Sequence, residues 1–338
     1  MNRLDSEQAL RLYRCMRTAR RLDEMEALLA QQGEASFHLA SSGHEGIAVL
    51  APHLTPEDWL HPHYRDIALI LARGVPPARY LHALFGTAES DSQGRRMPCF
   101  VCDRALNLMS IPTLVGNNAL QAAGVAAAVR DRPGRPIVLC GIGDGGSQQG
   151  EVLEAIAEAV RERLPVLFVV ENNRYALSTP TAGRTFWSRP DGEPAEFYGV
   201  PIERVDGGDP ASAYEQFGNL VRAMRDDRRP RLVVFNVERL VSHSNSDDQT
   251  VYRSPEELAA ARRRDPVARM ADWLREKGVS EARIEALHEE IERDLRAALA
   301  AARAAAAPEN GPARRPLPAE FEAAASERRA TATEDAGG

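Results

Sequence analysis

The residues best placed to do chemistry are Asp144 and Asn173, each expected at the carboxyl end of a buried strand. Asp144 lies in the stretch PIVLCGIGDGGSQQ, where Ile137-Val138-Leu139-Cys140 has the length and composition of a buried strand. Gly141, Gly143, Gly145 and Gly146 then make a turn suited to close approach of the backbone to a ligand. Val152, Leu153, Ile156, Val160 and Leu164 fall on one face of a following helix, and Pro165 marks its exit. Val166–Val170 reads as a second strand running into Glu171-Asn172-Asn173. This is a βαβ unit with its polar groups gathered at the strand ends, where open parallel sheets bind ligands.

Two chemistries fit the turn. Gly141, Gly143 and Gly146 satisfy G-x-G-x-x-G, the dinucleotide fingerprint, so an NAD-dependent oxidoreductase is one reading. That reading needs an acid about 20 positions on to hold a ribose, whereas Glu171 follows Gly141 by 30. It also sets the Asp144 carboxylate against a pyrophosphate, which is unfavourable unless a cation lies between them. A divalent cation resolves the conflict. Asp144 and Asn173 offer hard oxygen ligands, and magnesium commonly takes one or two carboxylates together with phosphates. The glycine amides and the helix N-terminus would cradle the diphosphate.

Gly143-Asp144-Gly145 followed by Asn172-Asn173 resembles the signature of thiamine-diphosphate enzymes. The resemblance implies thiamine diphosphate and Mg2+ as cofactors. The metal would be held by Asp144, the Asn173 side chain and the main-chain oxygen of Tyr175, with Gly145 and Gly146 at the diphosphate. Further motifs resemble the α subunit of 2-oxo acid dehydrogenase E1 components, most closely the branched-chain type. They are the Gly43–Gly46 step, Tyr64-Arg65 before a helix ending ILARG, the Gly94-Arg95-Arg96-Met97-Pro98 run, and the loop SHSNSDDQTVYRS. In that family the equivalents of Tyr64 and Arg65 reach the diphosphate, those of Thr113 and Val115 support the thiazolium end, and that of His243 sits over the cofactor and takes part in catalysis. The loop orders when cofactor binds. Ser244 matches a serine that mitochondrial relatives phosphorylate. Phe100 stands where the family commonly has histidine, and Pro112, Leu114, Asn117 and Asn118 replace a potassium-binding set. From the residues alone, an arginine and a phenol suit a phosphate, and His243 could donate to a ligand or move a proton near pH 7. The plainer alternatives are Arg65 paired with a surface acid such as Asp66, and His243 solvated on its loop.

Composition narrows the classes. Of 338 residues, 43% are hydrophobic and 27% charged, and the net charge of −7 gives no overall attraction to nucleic acid or an anionic membrane. No stretch reads as a membrane span and the amino terminus lacks a signal-peptide core, so a cytoplasmic location is expected. Lys277 is the single lysine and lies in a polar helical stretch, which excludes a pyridoxal Schiff base and a P-loop. Cys99-Phe-Val-Cys102 is an isolated C-x-x-C, and Cys140 is expected in the core. His53, His61 and His63 suggest metal but lack a cluster of further ligands, and read as loop residues.

The supporting elements follow in order. A helix over about 5–32 ends at Gly33. Short helices with glycine and proline punctuation follow, then a long loop over 86–110. A small-residue helix spans 117–129. After the central unit comes a Gly/Pro-rich loop over 178–199 with a short helix ending near Tyr198. Strands are expected at 201–205 and 231–237, with a helix over 211–226 between them. The fold class is α/β: a parallel sheet with helices on both faces, of the thiamine-diphosphate-binding type, with helical N- and C-terminal extensions. The expected divisions are an N-terminal helical arm (1–50), a diphosphate- and magnesium-binding domain (51–254), C-terminal helices (255–306) and a disordered tail (307–338).

The resemblance implies decarboxylation of a 2-oxo acid and transfer of the acyl group to a lipoyl carrier on an acyltransferase. The carboxylate that thiamine chemistry needs at the aminopyrimidine comes, in the family, from a β subunit, so an α2β2 assembly is expected. The alternatives are a thiamine-dependent non-oxidative decarboxylase or carboligase, the NAD-dependent oxidoreductase, and a non-catalytic binding subunit.

Overall fold

The computed structural model describes residues 3–308. In chain order the elements are α1 (Ser6–Gln31), β1 (Trp59–His61), α2 (Ile67–Ala72), α3 (Ala78–Phe85), α4 (Asn118–Val129), β2 (Val138–Gly143), α5 (Gly150–Glu162), β3 (Val166–Asn172), β4 (Tyr175–Ala176), β5 (Thr179–Pro180), β6 (Glu196–Phe197), β7 (Val200–Asp206), α6 (Pro210–Asp227), β8 (Arg231–Asn236), α7 (Pro255–Arg262), α8 (Pro266–Glu276) and α9 (Glu281–Ala304). A 3₁₀ segment, Glu45–His53, lies between α1 and β1. Helix starts follow local chemistry. Asp209, Ser254 and Asp265 each accept a backbone N–H of the first turn, and each is followed by proline at the first helical position.

The main sheet runs β1-β2-β3-β8-β7-β6, parallel except for the antiparallel β6–β7 pair. Alternating side chains feed two cores. Val138, Cys140 and Ile142 of β2, Val166, Phe168 and Val170 of β3, and Leu232 and Val234 of β8 pack with α4 and α5. Leu139, Leu167, Val169, Val233 and Phe235 point the other way, into a larger core with α1, α2, α6 and α8. Burial on both faces is why these strands read as unbroken apolar runs.

The chain order places the site. From β1 through β2 to β3 the sheet grows in one direction. It then jumps to β7, and α6 returns it to β8 beside β3. Such a reversal opens a crevice at the carboxyl ends of the flanking strands. Asn173, just beyond β3, stands beside this reversal, and Asp144, just beyond β2, stands at the end of the adjacent strand.

The expected α/β class is what the structure has, and the expected strands and long helices match within two residues, except that β2 runs to Gly143, three beyond its expected end. Three local readings are corrected. β1 falls where only short helices were expected, because three residues carry too little pattern to announce a strand. It pairs with β2 on one side, while on the other Leu60 donates to Asn107 O and accepts from Met109 N. No helix ends at Tyr198. Glu196–Phe197 pairs with β7 instead, and Tyr198 takes a left-handed turn with φ of 51°. His61 is a buried strand residue, not a loop residue. The tail expected over 307–338 lies, from 309 on, outside the described residues.

Asp58 ties the amino ends of this frame together. Fully buried, it accepts from Thr55 N (2.7 Å), Ile137 N (2.8 Å) and both terminal nitrogens of Arg225 on α6 (3.0 and 2.5 Å). Asp58→Ala would leave the Arg225 guanidinium with only the Arg135 and His53 carbonyl oxygens and would strand a buried strand N–H, so we expect a loss of about 3 kcal/mol, read from urea unfolding of the full chain. A loss below about 1 kcal/mol would show that the network is dispensable.

Candidate active site

A cavity of about 350 Å³ opens at these strand ends, lined among others by Tyr64, Arg65, Val115, Gly145, Gly146 and His243, together with Asp144, Asn173 and Tyr175. The end of β2 and the turn after it carry glycine because their neighbours leave no room. A Cβ on Gly145 would stand 2.6 Å from that of Ala176, and one on Gly141 2.6 Å from the His63 backbone nitrogen.

Two buried groups of opposite charge face this cavity with atoms left over. Asp144 is 3% exposed; its Oδ1 accepts from Gly145 N at 2.8 Å, and its Oδ2 is buried with no hydrogen-bond partner. Arg65, 2% exposed, donates through Nη2 to His243 Nδ1 at 2.9 Å, while Nε and Nη1 have no partner. Its guanidinium lies 4.9 Å from the Tyr64 ring centroid. Buried polar atoms are ordinarily paired. Here a free carboxylate oxygen asks for a cation and free guanidinium N–H groups ask for an anion, in one cavity. A divalent ion with a diphosphate satisfies both, so the residues present fit that pair of ligands.

Asn173 has its amide orientation fixed from two sides: Oδ1 accepts from Tyr175 N at 3.1 Å, and Nδ2 meets His44 Nε2 at 3.2 Å. Behind it lies a polar cluster closed to solvent. Glu171, with no exposure, accepts from His44 Nδ1 at 2.5 Å through Oε2, and its Oε1 lies 3.7 Å from His63 Nδ1. Burial would raise the Glu171 carboxyl, but the His63 and His44 imidazoles outweigh it and hold it well below the usual range. Asp66, buried beside it, is pushed well above that range by burial and by the Glu171 charge. The cluster thus favours negative charge on Glu171 over negative charge on Asp66. A ribose could not reach Glu171, so the dinucleotide reading loses its acid.

His243 sits on a well-braced loop. Its backbone N–H donates to Asp247 Oδ2 at 2.7 Å, and the Tyr252 hydroxyl donates to the same oxygen at 2.6 Å. Arg239 donates to Tyr252 Oη, and Arg253 donates to the Arg239 carbonyl oxygen. Because Arg65 donates to Nδ1, the neutral His243 ring carries its proton on Nε2. Burial, then the Arg65 and Arg239 charges, push its pKa down to about 3. Without ligand the ring is therefore held neutral near pH 7. An anion on Arg65 would offset the field that holds it there.

Of the other expected site residues, Thr113 is exposed and is not among those lining the cavity. Arg65 pairs with His243 rather than with Asp66. In place of a potassium-binding set, Asn118 Nδ2 donates to Gly141 O at 2.7 Å and Asn117 Oδ1 accepts from Gln121. The four cysteines are free, and Arg96 donates to Cys102 Sγ. Sequence reasoning missed His44, His63 and Asn118 as site residues. The adjacency of His63 to Tyr64-Arg65 was the available signal for one of them.

The family model of the dehydrogenase E1 component matches residues 13–311. An α subunit of 3-methyl-2-oxobutanoate dehydrogenase from Mycobacterium tuberculosis is 33% identical over 282 residues, covering 82% of this chain and 74% of its own. An α subunit of pyruvate dehydrogenase E1 from Staphylococcus aureus is 30% identical, covering 87% and 78%. The mitochondrial 2-oxoisovalerate dehydrogenase subunit alpha 1 of Arabidopsis thaliana is 31% identical over 80% of this chain, which spans 57% of that relative's length. The chain belongs to the dehydrogenase E1 component family, whose members depend on thiamine diphosphate. Among the described residues no helix is long and apolar enough to cross a membrane.

Without ligand, Asp144 weakens the fold. Burial raises its pKa from 3.8 to about 6, with the Gly145 N–H and Arg65 only partly offsetting this. A folded value above the unfolded one stabilises fully below pH 3.8, and that stabilisation is lost as pH rises through about 6. At pH 7 the ionised carboxylate therefore costs about 3 kcal/mol. Asp144→Asn, which retains an oxygen for Gly145 N, is expected to unfold at a higher temperature than the parent at pH 7 in chelator. The gain should vanish near pH 4. A less stable variant at pH 7 would contradict this account.

Proposed function

We propose that this chain is the α subunit of a thiamine-diphosphate-dependent 2-oxo acid dehydrogenase, decarboxylating a 2-oxo acid and passing the acyl group to a lipoyl carrier. The observation that carries the reading is the pair of unsatisfied opposite charges, Asp144 Oδ2 and the Arg65 N–H groups, at the end of a glycine turn. Asp144, Asn173 Oδ1 and the Tyr175 main-chain oxygen would hold Mg2+. Arg65, Tyr64 and the Gly145 and Gly146 amides would hold the diphosphate. Val115 and the apolar residues beside it would pack against the ring end.

When bound, thiamine diphosphate supplies an acidic thiazolium carbon that adds to the 2-oxo group and an electron sink for the pair released with carbon dioxide. The chain's own contribution is to orient and to neutralise. Arg65 balances phosphate charge while directing the His243 proton to Nε2, where it is available as a donor inside the cavity. Ile111, Pro112 and Leu114 give one wall an apolar character that suits the aliphatic end of a 2-oxo acid. The SDDQTVYRS loop favours the branched-chain members among possible substrates.

The site is half of one. Among the lining residues Asp144 is the only carboxylate, and as a metal ligand it is not available to the aminopyrimidine. Leu114, Val115 and Leu177 line the opening with 73%, 51% and 56% of their surface exposed. A β subunit in an α2β2 assembly would cover that rim and bring the missing carboxylate.

The test is calorimetric titration of thiamine diphosphate into co-expressed α and β chains, with and without magnesium. Magnesium-dependent binding that Asp144→Ala abolishes is expected, along with turnover of branched 2-oxo acids with a lipoyl acceptor and none from α alone. Absence of binding to a well-folded complex would remove the reading. Carboligation without a lipoyl acceptor would move it to the non-oxidative alternative.

A further inference from the structure

We infer that His44 is a positioning residue that, backed by Glu171, fixes which end of the Asn173 amide faces the cavity. The inference rests on the reading that Asn173 Oδ1 ligates the cation.

An asparagine amide turned by half a revolution exchanges its oxygen for an NH2 group, and an NH2 group cannot ligate a hard cation. Something must therefore choose the orientation. Tyr175 N donates to Oδ1 from one side, but it also lies two residues on in a short turn that must itself be held. The second constraint is the contact of Nδ2 with His44 Nε2 at 3.2 Å. That contact is a hydrogen bond only if Nε2 is bare, because an amide NH2 can only donate. Nδ1 must then carry the ring's proton. Glu171 Oε2, 2.5 Å from Nδ1, is an acceptor that enforces this tautomer.

The relay runs Glu171 Oε2, His44 Nδ1–H, His44 Nε2, Asn173 Nδ2. It crosses 127 positions of sequence between its first two members, and both are wholly buried. Neither His44 nor Glu171 lines the cavity. Their effect on a ligand is exerted through Asn173, as outer partners orient the groups that touch a metal. His44, His63 and Glu171 also offer three ligand atoms within 4.8 Å of one another, a spacing that could hold a metal ion. The short His44–Glu171 hydrogen bond, together with the use of His44's second nitrogen by Asn173, favours the relay.

The experiment compares the magnesium concentration that half-saturates thiamine diphosphate binding in the parent α–β complex and its His44→Leu and His44→Gln forms, by calorimetry. Leucine removes the acceptor and is expected to raise that concentration about tenfold or more. Glutamine can present an oxygen near the position of Nε2 and should stay within about threefold. Unfolding midpoints of the ligand-free proteins are read in parallel. A leucine variant less stable but unchanged in magnesium dependence would overturn the relay and leave a packing role. Parent protein without magnesium-dependent binding would instead overturn the site reading beneath it. A second measurement needs no variant: 15N spectra of histidine-labelled full chain should show His44 protonated at Nδ1 and bare at Nε2. A proton on Nε2, or a stoichiometric transition metal bound to the purified parent and lost in His44→Leu, would overturn the inference.

Discussion

The structure turns on an electrostatic deficit. A carboxylate and a guanidinium face one cavity, each buried and each with atoms that meet no partner. Left so, both weaken the fold, since a buried polar atom without a partner forfeits what water would have given it. The surroundings do not relieve the deficit. β2 and β3 deliver Asp144 and Asn173 side by side at their carboxyl ends. Arg65 comes from the segment between β1 and α2, and is turned inward by Tyr64 and His243. The two charges share one cavity, so a single charged ligand with its cation would remove the deficit there.

How much of this the sequence disclosed follows from the range of the interactions. β2, β3 and β8 were legible because burial on both faces makes each an uninterrupted apolar run. Asp144 and Asn173 were legible because glycine crowding and strand ends are local features. β1 was not, since three residues hold no period. The antiparallel turn at Glu196–Phe197 was misread because its pairing with β7, rather than its own composition, makes it a strand. His44 and Glu171 meet across distant segments, so only the folded chain shows that they share a proton bond. Thr113 illustrates a finer limit: it lies two residues from Val115, yet only Val115 is placed at the cavity.

Arginine carries nearly all the positive charge, and the fold uses its planar fork as an internal tie. Arg20 of α1 grips Glu45 through Nε and Nη2, and Asp265 through both terminal nitrogens. This joins α1, the 3₁₀ segment and the start of α8. Arg239 and Arg253 both stand over the ring of Tyr175, one of the cavity residues, and Arg253 holds the loop that presents His243. A flexible ammonium could not satisfy two acceptors in fixed planes at once. The arginine-rich composition that excluded lysine chemistry thus also accounts for how the site loop is held.

Both margins of the main sheet are blunted. Along β1 the outward backbone groups of Leu60 are already taken by the segment around residues 107–109, and at the opposite margin β6 is two residues long. The β1 margin offers no row of open N–H and C=O groups on which a foreign strand could grow, while β6 covers only Val200 and Pro201 of β7. Association at the β1 margin must therefore be read out by side chains and not by main-chain zippering. Contacts of that kind discriminate between partners, whereas an open ladder accepts almost any extended peptide.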